Sequence, residues 1–70
     1  MIRVLVTGGA GFIGSNFCNI LKTHYDVIAF DNLFLGDQRN LDPEIVFVKG
    51  DAGSIHDLSR VGPVDIVLHM

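Results

Sequence analysis

Val6-Thr7-Gly8-Gly9-Ala10-Gly11-Phe12-Ile13-Gly14-Ser15 joins an apolar run that reads as a strand to a periodic run that reads as a helix, and the joint is mostly glycine. Gly9, Gly11 and Gly14 fit the spacing G-x-G-x-x-G, while Gly8, Gly11 and Gly14 fit the looser G-x-x-G-x-x-G. Both spacings describe one device. A chain that leaves a strand, turns sharply, brings its backbone close to a pyrophosphate and then packs a helix on the sheet meets an obstacle in a Cβ at each step. The helix that begins here points unpaired N–H groups and the positive end of its dipole at the turn, which makes an anion site from main chain alone. No Ser, Thr, Asp or Asn stands directly at the helix start, so a ligand phosphate is expected to act as the cap. A glycine triplet by itself also describes an ordinary turn. A strand before it, a helix after it and an acidic residue about 20 positions further on are the features that separate the two.

Those features can be sought on either side. Ile2-Arg3-Val4-Leu5-Val6 is a short, nearly continuous apolar run, as expected of a strand covered on both faces. Downstream, Ile13, Phe17, Ile20, Leu21 and His24 recur at helical spacing and are expected to hold the helix to the sheet. Lys22 and His24 are expected to close its last turn, where positive charge is favourable. Asp26-Val27-Ile28-Ala29-Phe30-Asp31 is a second strand, which a right-handed crossover would lay parallel to the first. Its final residue, Asp31, falls 17 positions after Gly14, where a dinucleotide site needs a carboxylate to accept from two ribose hydroxyls. A 2′-phosphate about 4 Å from that carboxylate would meet a repulsion of roughly 4 kcal/mol at an effective dielectric near 20, an upper figure that favours NAD over NADP. The alternative for Asp31 is a solvated acid ending a strand.

From Asn32 to Glu44 the chain is a polar connection carrying turn residues, among them Gly36, Asp37, Asn40, Asp42 and Pro43. Ile45 to Lys49 reads as a third strand closed by Gly50-Asp51. Ser54-Ile55-His56-Asp57 is similar to a capping box with Asp in place of Glu, so a short helix is expected to about Arg60, stopped by Gly62-Pro63. Val64 to His69 is a fourth strand. This order is the opening of a doubly wound α/β fold, with a parallel sheet in the order 3-2-1-4 and a ligand crevice beyond the carboxyl ends of strands one and four.

Composition narrows the partners. With 70 residues, a net charge of −3 and five scattered Lys and Arg, the chain offers no basic patch for nucleic acid. The Ile2–Val6 run is far too short for a signal or membrane segment, and a cytoplasmic location is the expectation. Cys18 has no partner for a disulfide and reads as a small buried hydrophobe. His56 and Asp57 are adjacent and diverge on a helix, His69 reads as a core or loop histidine, and no group has metal-ligand spacing. A fold of this class needs helices over both sheet faces, so residues 1–70 are expected to be the N-terminal part of a dinucleotide-binding domain that is incomplete at this length.

With these residues placed, the sequence resembles the N-terminal part of the NAD-dependent epimerases and dehydratases, the extended branch of the short-chain dehydrogenase/reductases, which have a Rossmann sheet. Thr7 to Ser15 is similar to the family's opening glycine motif, and Asp31-Asn32-Leu33 followed by Gly36 resembles the adenosine-ribose segment of nucleotide-sugar 4-epimerases. Gly50-Asp51 looks like the pair after the third strand, although Ala52 stands where the family usually has an aliphatic residue, and Val64 to Met70 looks like the fourth strand. The resemblance implies NAD as cofactor, with pyrophosphate contacts at Gly8, Gly11, Phe12, Ile13 and Gly14, ribose contacts at Asp31, Asn32 and Gly36, and adenine contacts at Asp51 and Ala52. It implies a parent enzyme, a homodimer, that moves a hydride to and from bound NAD on a nucleotide-sugar substrate, a UDP-sugar 4-epimerase first of all. A 4,6-dehydratase or decarboxylase on the same scaffold is the alternative, and a non-catalytic NAD-binding or sensing module is an alternative of another class. The family's catalytic Tyr precedes a Lys by four positions. Tyr25, the one tyrosine here, has Ala29 at that offset, so no catalytic residue is expected in this chain.

Overall fold

Val4, Leu5 and Val6 form the middle of strand β1 (Arg3–Thr7) and are at most 5% exposed, as a strand covered on both faces requires. The computed structural model describes residues 1–70. After β1 come helix α1 (Phe12–Leu21), strand β2 (Asp26–Asp31), a 3-10 turn (Gln38–Asn40), strand β3 (Val46–Lys49), helix α2 (Ile55–Ser59) and strand β4 (Ile66–His69). The four strands make one parallel sheet in the order β3-β2-β1-β4, the expected topology. Register places Thr7 beside Phe30 on one side and His69 on the other, and Asp31 beside Lys49, so the carboxyl ends of all four strands share one rim.

Strand alternation divides the core in two. Val4, Val6, Val27 and Ala29 face α1 and pack with Cys18, Ala10, Leu41 and Ile45. Leu5, Ile28 and Phe30 face the other way and pack with Val61. At the amino ends, Arg3 ties the strands together, with its Nε on Asp26 Oδ2 at 2.9 Å and its N–H on Asp65 Oδ2 at 2.8 Å. That explains a charge inside an apolar run.

Helix α1 departs from the expected pattern. Its buried residues are Gly14, Ser15 and Cys18, while Ile13, Phe17 and Ile20 are 61%, 45% and 69% exposed. The close approach of helix to sheet selects small side chains for the inner face, and the large apolar ones turn outward. Only Leu21 of the expected stripe packs against the core. The helix also ends at Leu21, with no basic residue in its last turn. Lys22 instead reaches across to Asp42 Oδ2 at 2.5 Å and to Glu44 Oε1.

That ion group belongs to the strap of residues 32–45, which makes the crossover from β2 to β3. Its main chain is tied to α1 by Asn19, whose Nδ2 donates to the Asn40 carbonyl at 3.1 Å and whose Oδ1 accepts from the Asp42 N–H at 2.9 Å. Leu41 and Ile45 bury beneath it. On the other face, Ser54 caps α2 as expected, its hydroxyl accepting from the Asp57 N–H, and Arg60 forms the C-cap.

Candidate functional site

The turn from β1 into α1 is built on close backbone contacts. Gly8 has φ +71°, the left-handed region open to glycine, and a Cβ there would also meet the Met70 carbonyl oxygen at 2.9 Å. A Cβ on Gly14 would run into the Gly8 carbonyl, so the first turn of the helix lies directly on the loop that precedes it. Gly11 differs. It is the helix N-cap, in extended conformation at φ −70° and ψ 172°, and a Cβ on it would meet only the Gly8 oxygen, at 3.3 Å. That one contact is tight, but no other atom lies near, and the space beyond it is open.

Into that space the helix presents its free donors. No side chain caps α1 and its first turn carries no acid. The N–H groups of Phe12, Ile13 and Gly14 have no acceptor within the chain, and the first bonded amide is that of Ser15, on the Gly11 carbonyl at 2.9 Å. Three converging N–H groups at the positive end of a helix form an anion site.

Asp31 stands against the same turn. Its Oδ2 accepts from the Ala10 N–H at 3.0 Å and its Oδ1 from the Leu33 N–H at 2.9 Å, and the residue is 9% exposed. A carboxylate has about four lone-pair positions, so two backbone bonds leave acceptor capacity for two hydroxyls. The acid is therefore aimed before any ligand arrives. Beyond it Leu33 adopts φ 63°, and Asn32 Oδ1 accepts from the Phe34 N–H at 2.9 Å, which reverses the chain away from the rim.

A cleft of about 170 Å³ opens at this rim, lined by Thr7, Gly8, Phe30, Asp31, Asn32, Asp51, Ala52 and His69. Gly8, Asp31, Asn32, Asp51 and Ala52, far apart in sequence, thus meet in one place. Gly11, Phe12, Ile13 and Gly14 lie at the adjoining helix terminus. Gly36 lies directly against the Asp31 carboxylate: a Cβ there would strike Ala10 and Asp31 Oδ2 at 2.8 Å. Asp51 reaches the rim because the Gly50 N–H bonds the Asp31 carbonyl at 3.0 Å, and its Oδ1 accepts from the Gly53 N–H at 2.8 Å.

Thr7 and His69 join them at the cleft, so His69, which ends a strand, lies at the crevice and not in the core. Thr7 Oγ1 lies 2.6 Å from His69 Nδ1, at the ends of the adjacent strands β1 and β4, and both residues also border an apolar hollow of about 420 Å³ with Leu5, Leu58, Val61 and Val67. Once the sheet order is known, the signal is simple: the last residues of paired parallel strands share a rim.

A larger hollow, about 600 Å³, lies at the opposite end, between Lys22, Tyr25, Asp26, Glu44 and neighbours. It sits at the amino ends of the strands, beside the C-terminus of α1, where no helix N-terminus can meet an anion. Tyr25 packs there against the core, away from the rim. No helix is long and apolar enough to cross a membrane.

Comparison with known proteins places this geometry. Residues 4–70 match the model of the NAD dependent epimerase/dehydratase family. A UDP-glucose 4-epimerase of Lacticaseibacillus casei is 41% identical over 61 residues, covering 86% of this chain and 18% of that protein. The crystal structure of UDP-glucose 4-epimerase with UDP-glucose from Thermotoga maritima superposes with a TM-score of 0.90 at 34% identity, over 99% of this chain and 24% of the other. A dTDP-glucose 4,6-dehydratase of Bacillus anthracis in complex with NAD gives 0.88 at 34% identity, over 100% of this chain and 26% of that one. The chain spans about a fifth of the length of the curated relatives it matches. A parallel 3-2-1-4 sheet, a glycine turn with three free amides, an acid closing β2 and a family model that matches all but the first three residues of the chain lead to one assignment: this chain belongs to the NAD dependent epimerase/dehydratase family.

Proposed function

We propose that the rim of this sheet holds NAD, and that these 70 residues are the N-terminal cofactor-binding part of a longer nucleotide-sugar 4-epimerase, acting on a UDP-sugar. The observation that carries the cofactor assignment is the pairing of three unbonded amides, at Phe12, Ile13 and Gly14, with the Asp31 carboxylate fixed on the next-door Ala10 N–H. The amides suit the diphosphate and the carboxylate suits the adenosine ribose hydroxyls. Asn32, Asp51 and Ala52 line the same cleft and would flank the ribose and adenine. Gly8 and Gly14 keep the backbone close enough for the approach. The chemistry NAD supplies when bound is reversible hydride acceptance.

This chain's own residues bind and orient. They do not move the proton. Tyr25 lies at the far end of the sheet and has no lysine four positions on, so the acid-base pair of the reaction belongs to sequence outside these 70 residues. The epimerase reading rests on the relatives, several of which are UDP-glucose 4-epimerases. The likeness to a 4,6-dehydratase, at a TM-score of 0.88, supports the second reading. The test uses the full-length protein with NAD. Interconversion of UDP-galactose and UDP-glucose supports the epimerase. Loss of water from dTDP-glucose in its place supports the dehydratase, and NAD binding with neither activity supports a binding module.

A further inference from the structure

The Ala10 peptide units are held from outside the glycine turn. The Ala10 carbonyl accepts from the Asp37 N–H at 2.9 Å and from Asn40 Nδ2 at 3.0 Å, both on the strap. The amide of the same peptide plane, the Gly11 N–H, donates to the Gly8 carbonyl at 3.2 Å. The Ala10 N–H is taken by Asp31 Oδ2 at 3.0 Å. Gly36 closes the remaining side, since a Cβ there would lie 2.8 Å from the Ala10 carbonyl carbon. A loop of glycines loses much conformational entropy when it must order around a ligand. Bonds that fix it beforehand lower that cost.

We propose that Asn40 is a positioning residue for the cofactor: its side-chain amide, donating to the Ala10 carbonyl, sets the plane of the Ala10–Gly11 peptide and so aims the Phe12, Ile13 and Gly14 amides at the diphosphate. Asn40 touches none of the cleft; it acts through Ala10. The inference rests on the cofactor assignment above. It also gives the strap a role in affinity. Asn19 serves as the internal comparison, because it ties the strap to α1 through the Asn40 carbonyl and the Asp42 N–H and makes no bond to the glycine turn.

The experiment measures NAD binding by calorimetry on the full-length protein freed of bound nucleotide, with thermal unfolding in parallel. Asn40→Ala removes the donor, and Kd for NAD should rise about three- to tenfold, the span of one neutral hydrogen bond. Asn40→Asp keeps the shape but sets a carboxylate against the Ala10 carbonyl oxygen, so it should bind NAD more weakly still than Asn40→Ala. Asn19→Ala should lower the melting temperature yet shift Kd by less than about twofold. Unchanged NAD affinity in both Asn40 variants overturns the inference while leaving the cofactor assignment intact. So does an Asn19→Ala loss as large as that of Asn40→Ala, which would make the strap a general brace. Failure of the unsubstituted protein to bind NAD overturns the cofactor assignment itself, and this inference with it.

Discussion

Replacing Asp31 by Asn isolates the charge at the rim while keeping the side chain's size. In the folded chain each carboxylate oxygen holds one backbone N–H, from Ala10 and from Leu33. An Asn side chain has a single carbonyl oxygen, so one of those two N–H groups must face an NH2 and lose its acceptor. An unsatisfied buried donor costs about 1–3 kcal/mol, and that is the expected loss of stability. Discrimination between cofactors changes for another reason. A 2′-phosphate near 4 Å from the Asp31 carboxylate meets a repulsion of up to about 4 kcal/mol at an effective dielectric near 20. At 1.4 kcal/mol per decade, the unsubstituted protein should favour NAD over NADP by up to about 10³-fold. In Asp31→Asn that ratio should collapse towards unity, because NADP loses a repulsion while NAD loses a charge-assisted ribose bond. Calorimetric titration of both cofactors into both full-length proteins gives the four constants needed. Equal affinity of the unsubstituted protein for NAD and NADP, or a ratio unmoved by the substitution, would refute the argument from charge.

Other outcomes follow from the same geometry. Gly11→Val should cost stability only about 1 kcal/mol, as a poor N-cap residue beside the Gly8 oxygen, yet remove NAD binding by filling the space in front of the free amides; retained affinity would show that the diphosphate sits elsewhere. Gly14→Ala should destabilise the fold by about 1–3 kcal/mol, as overpacking does, because its Cβ has no room beside the Gly8 carbonyl, and denaturant unfolding measures it. The Asp37 carboxyl is held down to about 2, first by the Arg39 side chain and then by the Arg39 N–H. Its folded pKa lies below the unfolded value, so the contribution to stability is complete above pH of about 4 and is lost as pH falls through the lowered value. A carbon-detected NMR titration of Asp37 should therefore give a midpoint near 2, whereas an ordinary carboxylate midpoint would mean that Arg39 is not engaged.

Much of this was legible in sequence because it is local. The glycine spacing, the strand that ends at Asp31 and the capping box at Ser54 each need only a short window, and the parallel order follows from crossover rules once the strands are found. What escaped was non-local. Hydrophobicity at helical spacing pointed to Ile13, Phe17 and Ile20 as the inner face of α1, but proximity to the sheet decides that face, and proximity favours Gly14, Ser15 and Cys18. Helix polarity alone assigns Lys22 to its own helix's dipole, whereas its partners Asp42 and Glu44 come from the strap. Spacing alone points Asp31 towards a ribose. That its carboxylate would also bond Ala10, 21 positions earlier in the chain, needs the fold to be seen.

The small inner face of α1 has a mechanical consequence. Because Gly14, Ser15 and Cys18 let the helix ride close on the strands, and a Cβ on Gly14 would already run into the Gly8 main chain, the height of its leading end above the sheet is set by tight contact with little slack. Bulk added at those three positions would lever that end upward and carry the amide cluster out of reach of the acid on the neighbouring strand. Positions 17 and 20, which turn away from the sheet and lie beyond the amide cluster, have no such leverage, so substitutions there should leave the grip on the nucleotide unchanged.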